Sequence, residues 1–114
     1  MFDFQKLEVY KKAKEFNIRT TKLIAQSKFD SVTNDQLRRA SFSIMLNIAE
    51  GSARFTKKDK RHFMVISRGS AFECLSIMEY LVDTNQISKE VYDKVFNRIE
   101  EISKMLFGLI KSLS

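Results

Sequence analysis

Gln36-Leu-Arg-Arg-Ala-Ser-Phe-Ser-Ile-Met-Leu-Asn-Ile-Ala-Glu-Gly51 is strongly helical in character, yet it carries polar side chains where a bundle helix would be apolar. Gln36, Arg39, Ser43, Asn47 and Glu50 step by three, four, four and three residues, which places them on one line along a helix. A second stretch, Arg68-Gly-Ser-Ala-Phe-Glu73, puts a glycine and two more polar groups inside another helical pattern. Polarity at regular helical spacing calls for a polar partner on a neighbouring helix or for a ligand.

Working outward, nothing breaks the helical patterns, because the chain has no proline and only three glycines. The first helix reads as Gln5 to Ser27, with Leu7, Tyr10, Ala13, Phe16, Leu23 and Ile24 turned inward. After a link at Lys28 to Val32, Thr33 has the position of an N-cap, with Gln36 completing a capping box. This second helix runs to Glu50, and Gly51 reads as the left-handed residue that ends it. Thr56, with Asp59 three residues on, opens a third helix over Lys57 to Asp83, roughly 40 Å long at 1.5 Å per residue. Along it Phe63, Ile66, Ser70, Cys74, Ile77 and Leu81 keep helical spacing. Ser88 and Glu90 start the last helix, whose stripe is the cleanest: Val91, Val95, Ile99, Ile102, Leu106, Leu109 and Leu113. Short links between four helices predict an all-α, antiparallel up-down four-helix bundle, with residues 1–114 forming one domain. Phe42, Met45, Phe72, Phe96 and Phe107, together with Phe2 and Phe4, fall off these stripes. They belong either to a wide aromatic core or to a subunit interface.

At 114 residues the chain is long enough to bury a core without covalent staples, and its one cysteine cannot form an internal disulfide. No apolar run approaches bilayer length, and the N-terminal residues lack the pattern of a signal peptide, so the expectation is a cytoplasmic protein without a membrane anchor. The net charge of +6 is unevenly spread. Between Arg54 and Arg68 lie six cations (Arg54, Lys57, Lys58, Lys60, Arg61 and Arg68) and one acid, Asp59. Such a local excess is the pattern of an anion-facing surface.

An even hairpin about Ala53 brings Arg39 beside Gly69 and Ser70, one turn from Glu73, and sets Ser43 near Ile66 and Ser67. Gly69 then allows close backbone approach, and an Arg39–Glu73 ion pair is expected, with Gln36, Ser70 and Asn47 filling the remaining hydrogen-bond capacity. Gln36, Arg39, Ser43, Asn47, Glu50, Gly69, Ser70 and Glu73 thus form a candidate structural network that sets the register of two helices. The other reading of the same line is the border of a ligand site.

The pattern Gln-Leu-Arg-Arg-Ala-x-x-Ser-Ile-x-x-Asn-Ile-Ala-Glu-Gly over 36–51, followed by Gly69-Ser-x-x-Glu73, resembles the small four-helix bundle proteins encoded in intervening sequences of bacterial 23S ribosomal RNA genes. Phe4-x-x-Leu7-x-Val9-x-x-x-Ala13 is similar to the start of that family, so the likeness spans essentially the whole chain. The same family includes the accessory variability determinant of diversity-generating retroelements. The resemblance implies a ring-shaped homopentamer with a basic surface that binds RNA or DNA and, in the retroelement members, association with a reverse transcriptase. The chain departs from the family pattern at Met45-Leu46, where the family often has proline, which relaxes a possible helix bend.

Residues for catalysis are scarce. His62 and Cys74, the sole histidine and cysteine, lie twelve positions apart on one helix, about 18 Å, too far for a nucleophile and its base. Asp59 and His62 have the spacing of half a di-metal site, but the element occurs once and sits among cations. No metal, cofactor or catalytic residue is therefore expected. The expected function is a non-catalytic, oligomeric accessory protein that binds RNA or DNA with low sequence specificity, through phosphate contacts from Arg38, Arg54, Lys57, Lys58, Lys60, Arg61 and Arg68. Lys11, Lys12 and Lys14 extend this surface. The alternative is a protein-interaction module whose basic end docks an acidic partner such as a reverse transcriptase.

Overall fold

The computed structural model describes residues 2–114, and its helices are α1 (Glu8–Gln26), α2 (Ser31–Ser52), α3 (Lys57–Asp83) and α4 (Lys89–Ser112). A 3₁₀ turn over Asp3–Lys6 precedes them, so Gln5 and Lys6 stand outside the first helix, contrary to the sequence reading. Leu7 is extended and lets Phe4 fold back edge-on against Tyr10, with ring centroids 4.8 Å apart.

Each helix packs on its sequence neighbours, and α1 closes the ring onto α4, so α1 and α3, like α2 and α4, occupy opposite corners. The early part of α3 (Val65 to Phe72) lies against Phe107 and Ile110, and its later part (Phe72 to Glu79) against Phe96 to Lys104. Along α1, likewise, residues 12–16 meet 98–102 and residues 19–26 meet 91–98. Neighbouring helices are therefore antiparallel, in a particle of 44 × 23 × 21 Å. Up-down topology follows from connections too short to cross the bundle.

The core draws on all four helices. Phe16, Leu37, Ile44, Ile48, Met78, Leu81, Ile99, Ile102 and Leu106 are among its largest fully buried side chains. The α4 stripe read from sequence is the inner face, with Val95, Ile99, Ile102 and Leu106 buried and Val91, Leu109 and Leu113 partly so. On α3 the buried face is Met64, Ser67, Ser70, Ala71, Cys74, Met78 and Leu81. Of the stripe assigned from sequence, Ser70, Cys74 and Leu81 lie on this face, but Ile66 is exposed and Phe63 and Ile77 are only half-buried. The seam with α2 prefers small side chains, so at these last three positions hydrophobicity alone pointed to the wrong edge of the helix.

The ends show which local signals win. Thr56 and Ser88 cap α3 and α4, accepting hydrogen bonds from the Asp59 and Val91 amides respectively, as their sequence positions suggest. At α2, however, Asp30 rather than Thr33 is the cap, since its carboxylate accepts from the Thr33 amide at 2.7 Å. The helix therefore starts at Ser31. Gly51 is not a left-handed cap either: α2 continues through Ser52, and no glycine has positive φ. The left-handed residue is Asn85, at φ 60°. Its amide bonds to the Val82 carbonyl and the Gln86 amide to the Leu81 carbonyl, the paired bonds that satisfy the last carbonyls of α3.

Candidate nucleic-acid interface

Gly51 sets how α2 and α3 meet. A Cβ there would lie 2.9 Å from Phe63 Cβ and 3.2 Å from the Lys60 carbonyl oxygen, so the two helices approach at this point as closely as a bare backbone allows. Along the seam, the Ser67 hydroxyl donates to the Ile44 carbonyl at 2.8 Å, and the hydroxyls of Ser43 and Ser70 bond at 2.8 Å. Asn47 Nδ2 donates to both the Ser43 carbonyl and the Ser43 hydroxyl.

This register sits about one helical turn further along α3 than an even hairpin about Ala53 predicts. The connection runs from Ala53 to Thr56, after a helical Gly51 that seats against Lys60 to Met64. Three of the eight residues of the expected network come together. Ser43, Asn47 and Ser70 join, while Arg39 and Glu73 are exposed and form no ion pair among the described residues. Gln36 points to solvent, and Glu50 turns to Arg54 at 2.9 Å. Gly69 provides no close approach within the subunit, since nothing lies within 4 Å of where its Cβ would be. The close contact expected at Gly69 is made at Gly51.

Among the expected phosphate-binding residues, five gather at one end of the bundle. Arg54 leaves the end of α2, and Lys57, Lys58, Lys60 and Arg61 occupy the first turns of α3. Lys57, Lys58, Lys60 and Arg61 form no ion pair among the described residues; Arg61 donates only to the Ser114 hydroxyl at 3.3 Å. Arg54 is more constrained, paired with Glu50 and laid over the Phe63 ring at 4.6 Å. The surface is cationic, and the start of a helix adds the positive end of its dipole.

Two expected members are elsewhere. Arg38, exposed on α2, stands sixteen residues before Arg54, about 24 Å along the helix. Arg68 belongs to the outer groove between α3 and α4, where its guanidinium lies 4.7 Å from the Phe72 ring centroid and 5.4 Å from that of Phe107. Its Nε is buried without a hydrogen-bond partner. Lys11 and Lys14 remain exposed, but Lys12 is bound 2.7 Å from Glu101, whose hydrogen bond and charge hold the ammonium above its ordinary pKa.

One residue of this end was missed in the sequence reading. Phe55, between Arg54 and Thr56, has a relative exposure of 101% and makes no aromatic or cation–π contact among the described residues. The signal was available: an aromatic between a helix end and a capping threonine belongs to neither stripe.

Cys74 is buried, and desolvation, with a smaller contribution from the Glu73 charge, pushes its thiol up to about 12. A thiol so protonated at neutral pH is packing material rather than a nucleophile. No helix of the described residues is long and apolar enough to cross a membrane.

Residues 5–108 match the 23S rRNA-intervening sequence protein family. No curated protein matches the chain significantly. Among solved structures, a protein of unknown function from the S23 ribosomal protein family of Bacteroides thetaiotaomicron VPI-5482 superposes with a TM-score of 0.84 at 30% identity. The alignment covers 90% of this chain and 98% of that one. With the motif at 36–51 seated on the α2–α3 seam and the match running through all four helices, the chain belongs to the 23S rRNA-intervening sequence protein family.

Proposed function

We propose that the protein is a non-catalytic, self-associating nucleic-acid-binding protein that holds RNA or DNA by its phosphates at the Arg54–Arg61 end of the bundle. The observation that carries this reading is the unpaired cluster of Lys57, Lys58, Lys60 and Arg61 on the first turns of α3. Surface cations on helices are commonly matched by acids one turn away, as Arg19 with Glu15 and Lys94 with Glu90 are here. The cluster instead concentrates four cations without such a partner in five positions, with Asp59 the one acid among them. Flexible lysines without a fork geometry suit the phosphate backbone better than base edges, so low sequence specificity is expected.

Binding measured against salt tests this. With four phosphate contacts to a single strand, the logarithm of affinity falls by about 0.7 per contact for each tenfold rise in salt, roughly 50-fold per subunit between 50 and 200 mM. Changing Lys57, Lys58, Lys60 and Arg61 together to Gln removes binding and leaves the fold intact. Persistent binding in that variant rejects the patch.

Self-association is supported by apolar surface in two places. Phe42 and Leu46 are exposed on α2, while Val65, Phe72, Phe96 and Phe107 are exposed along the α3–α4 groove. That groove holds recesses of about 460 and 310 Å³ around Arg68. Gly69 and Gly108 have open space above their backbones on the same helices. Patches on different faces fit a head-to-tail contact that closes a ring, in keeping with the pentamer that the family resemblance implies. A second reading, an acidic protein partner such as a reverse transcriptase, rests on the same cations. Co-purification from nuclease-treated lysate separates the two, since a phosphate-dependent partner is lost.

A further inference from the structure

We propose that Phe55 is a stacking platform for an unpaired base, so that the basic end takes single-stranded or looped nucleic acid in preference to a duplex. The inference rests on the nucleic-acid reading above and deepens it by naming the class of substrate.

The ring of Phe55 is fully in water, on the four-residue connection between α2 and α3, with exposed Arg54, Thr56, Lys57 and Lys58 around it in the chain. The other aromatic side chains at this end have neighbours: Phe63 carries the Arg54 guanidinium on its face, and His62 meets the edge of Phe63 at 5.5 Å. Phe55 alone offers two free faces, next to the cations that would hold the adjoining phosphates. A fully hydrated phenyl ring contributes nothing to the core, since it touches none of it. Its surroundings instead match the way single strands are held, with cations tracking the backbone and an aromatic taking a base on its π-face.

Two other ligands fit less well. In a duplex the base faces are already stacked, and inserting a side chain requires unstacking a step. A lipid surface calls for a wide apolar face, whereas Phe55 is a lone ring between Arg54 and Thr56.

The full-length protein is titrated into a labelled single-stranded RNA and into the same RNA annealed to its complement. Replacing Phe55 breaks no contact within the subunit, so Phe55→Ala folds as the parent does. It is expected to bind the single strand on the order of tenfold more weakly, with an unchanged salt slope, and the duplex within about twofold of the parent. The chain has no tryptophan, so Phe55→Trp introduces a sole indole. That variant keeps its affinity, and its emission is quenched when the single strand binds.

Equal binding of Phe55→Ala and parent to the single strand, or an unquenched indole in a complex that forms, overturns the stacking role while the phosphate patch stands. Loss of the oligomer in Phe55→Ala, seen by light scattering, makes the ring a contact between copies and overturns it too. So does anionic-vesicle binding that depends on Phe55 while RNA binding does not. If the parent binds neither RNA, and the quadruple Gln variant behaves identically, the underlying nucleic-acid reading fails with it.

Discussion

At the scale of single residues, the glycines give the sharpest contrast. Gly51→Ala pushes a methyl into Phe63 and the Lys60 carbonyl, backbone that cannot yield without moving α3. The alanine also gains about 1 kcal/mol of helix propensity, but overpacking typically costs 1–3 kcal/mol, so a net loss is expected. Gly69→Ala meets nothing and raises stability by about 0.5–1 kcal/mol. Chemical denaturation of both variants at a concentration that keeps subunits apart checks the opposite signs. At high concentration, the Gly69 variant reports whether another copy needs that bare backbone. From sequence alone, Gly51 reads as the left-handed end of α2 and Gly69 as the point of close approach, and the structure gives the close approach to Gly51 instead. Close approach depends on the partner helix, which local pattern does not contain.

At the scale of the helices, the ends are governed by short-range hydrogen bonds and are correspondingly legible. Thr56 and Ser88 were read correctly because a hydroxyl three residues before an amide has one natural partner. For α2 the sequence reading named Thr33, but the cap is the Asp30 carboxylate, which accepts from the Thr33 amide. Ser88→Ala should cost about 1 kcal/mol in thermal unfolding. The Asp30 carboxyl has its pKa lowered chiefly by the Thr33 amide that it caps. Its contribution is therefore complete above its ordinary value, near pH 4, and is lost as pH falls through the lower folded value. The gap in melting temperature between the parent and Asp30→Ala is expected to be widest at neutral pH and to close toward pH 2. A gap that stays constant with pH refutes the carboxylate cap.

At the scale of the whole molecule, the exposed phenylalanines matter most. Phe72 and Phe107 flank Arg68, a guanidinium half-sunk in an apolar groove with one nitrogen unpartnered. If this groove seats a second copy, Phe72→Asp with Phe107→Asp reduces the particle to a monomer by light scattering while helical circular dichroism is unchanged. A particle of unaltered mass assigns the assembly to another face. Four helices, their order and the inner face of α4 were fixed by chain-local physics: apolar residues recurring every three or four positions, no proline, and caps within hydrogen-bond reach of their amides. The charge excess of 54–61 was equally plain, because five of those cations fall within eight consecutive positions. What the tertiary structure alone decided was register. A slip of one turn along α3 joined Ser43 to Ser70 and showed Gly51 to be the point of contact, while Arg39 and Glu73 stay exposed on the flank of the seam without pairing. The packing of α3 on α4 likewise placed Arg68 in their outer groove, away from the lysines at the end of the bundle. One turn is 5.4 Å of translation that leaves each helix's own pattern unchanged, so only the fit of small side chains across the seam selects it.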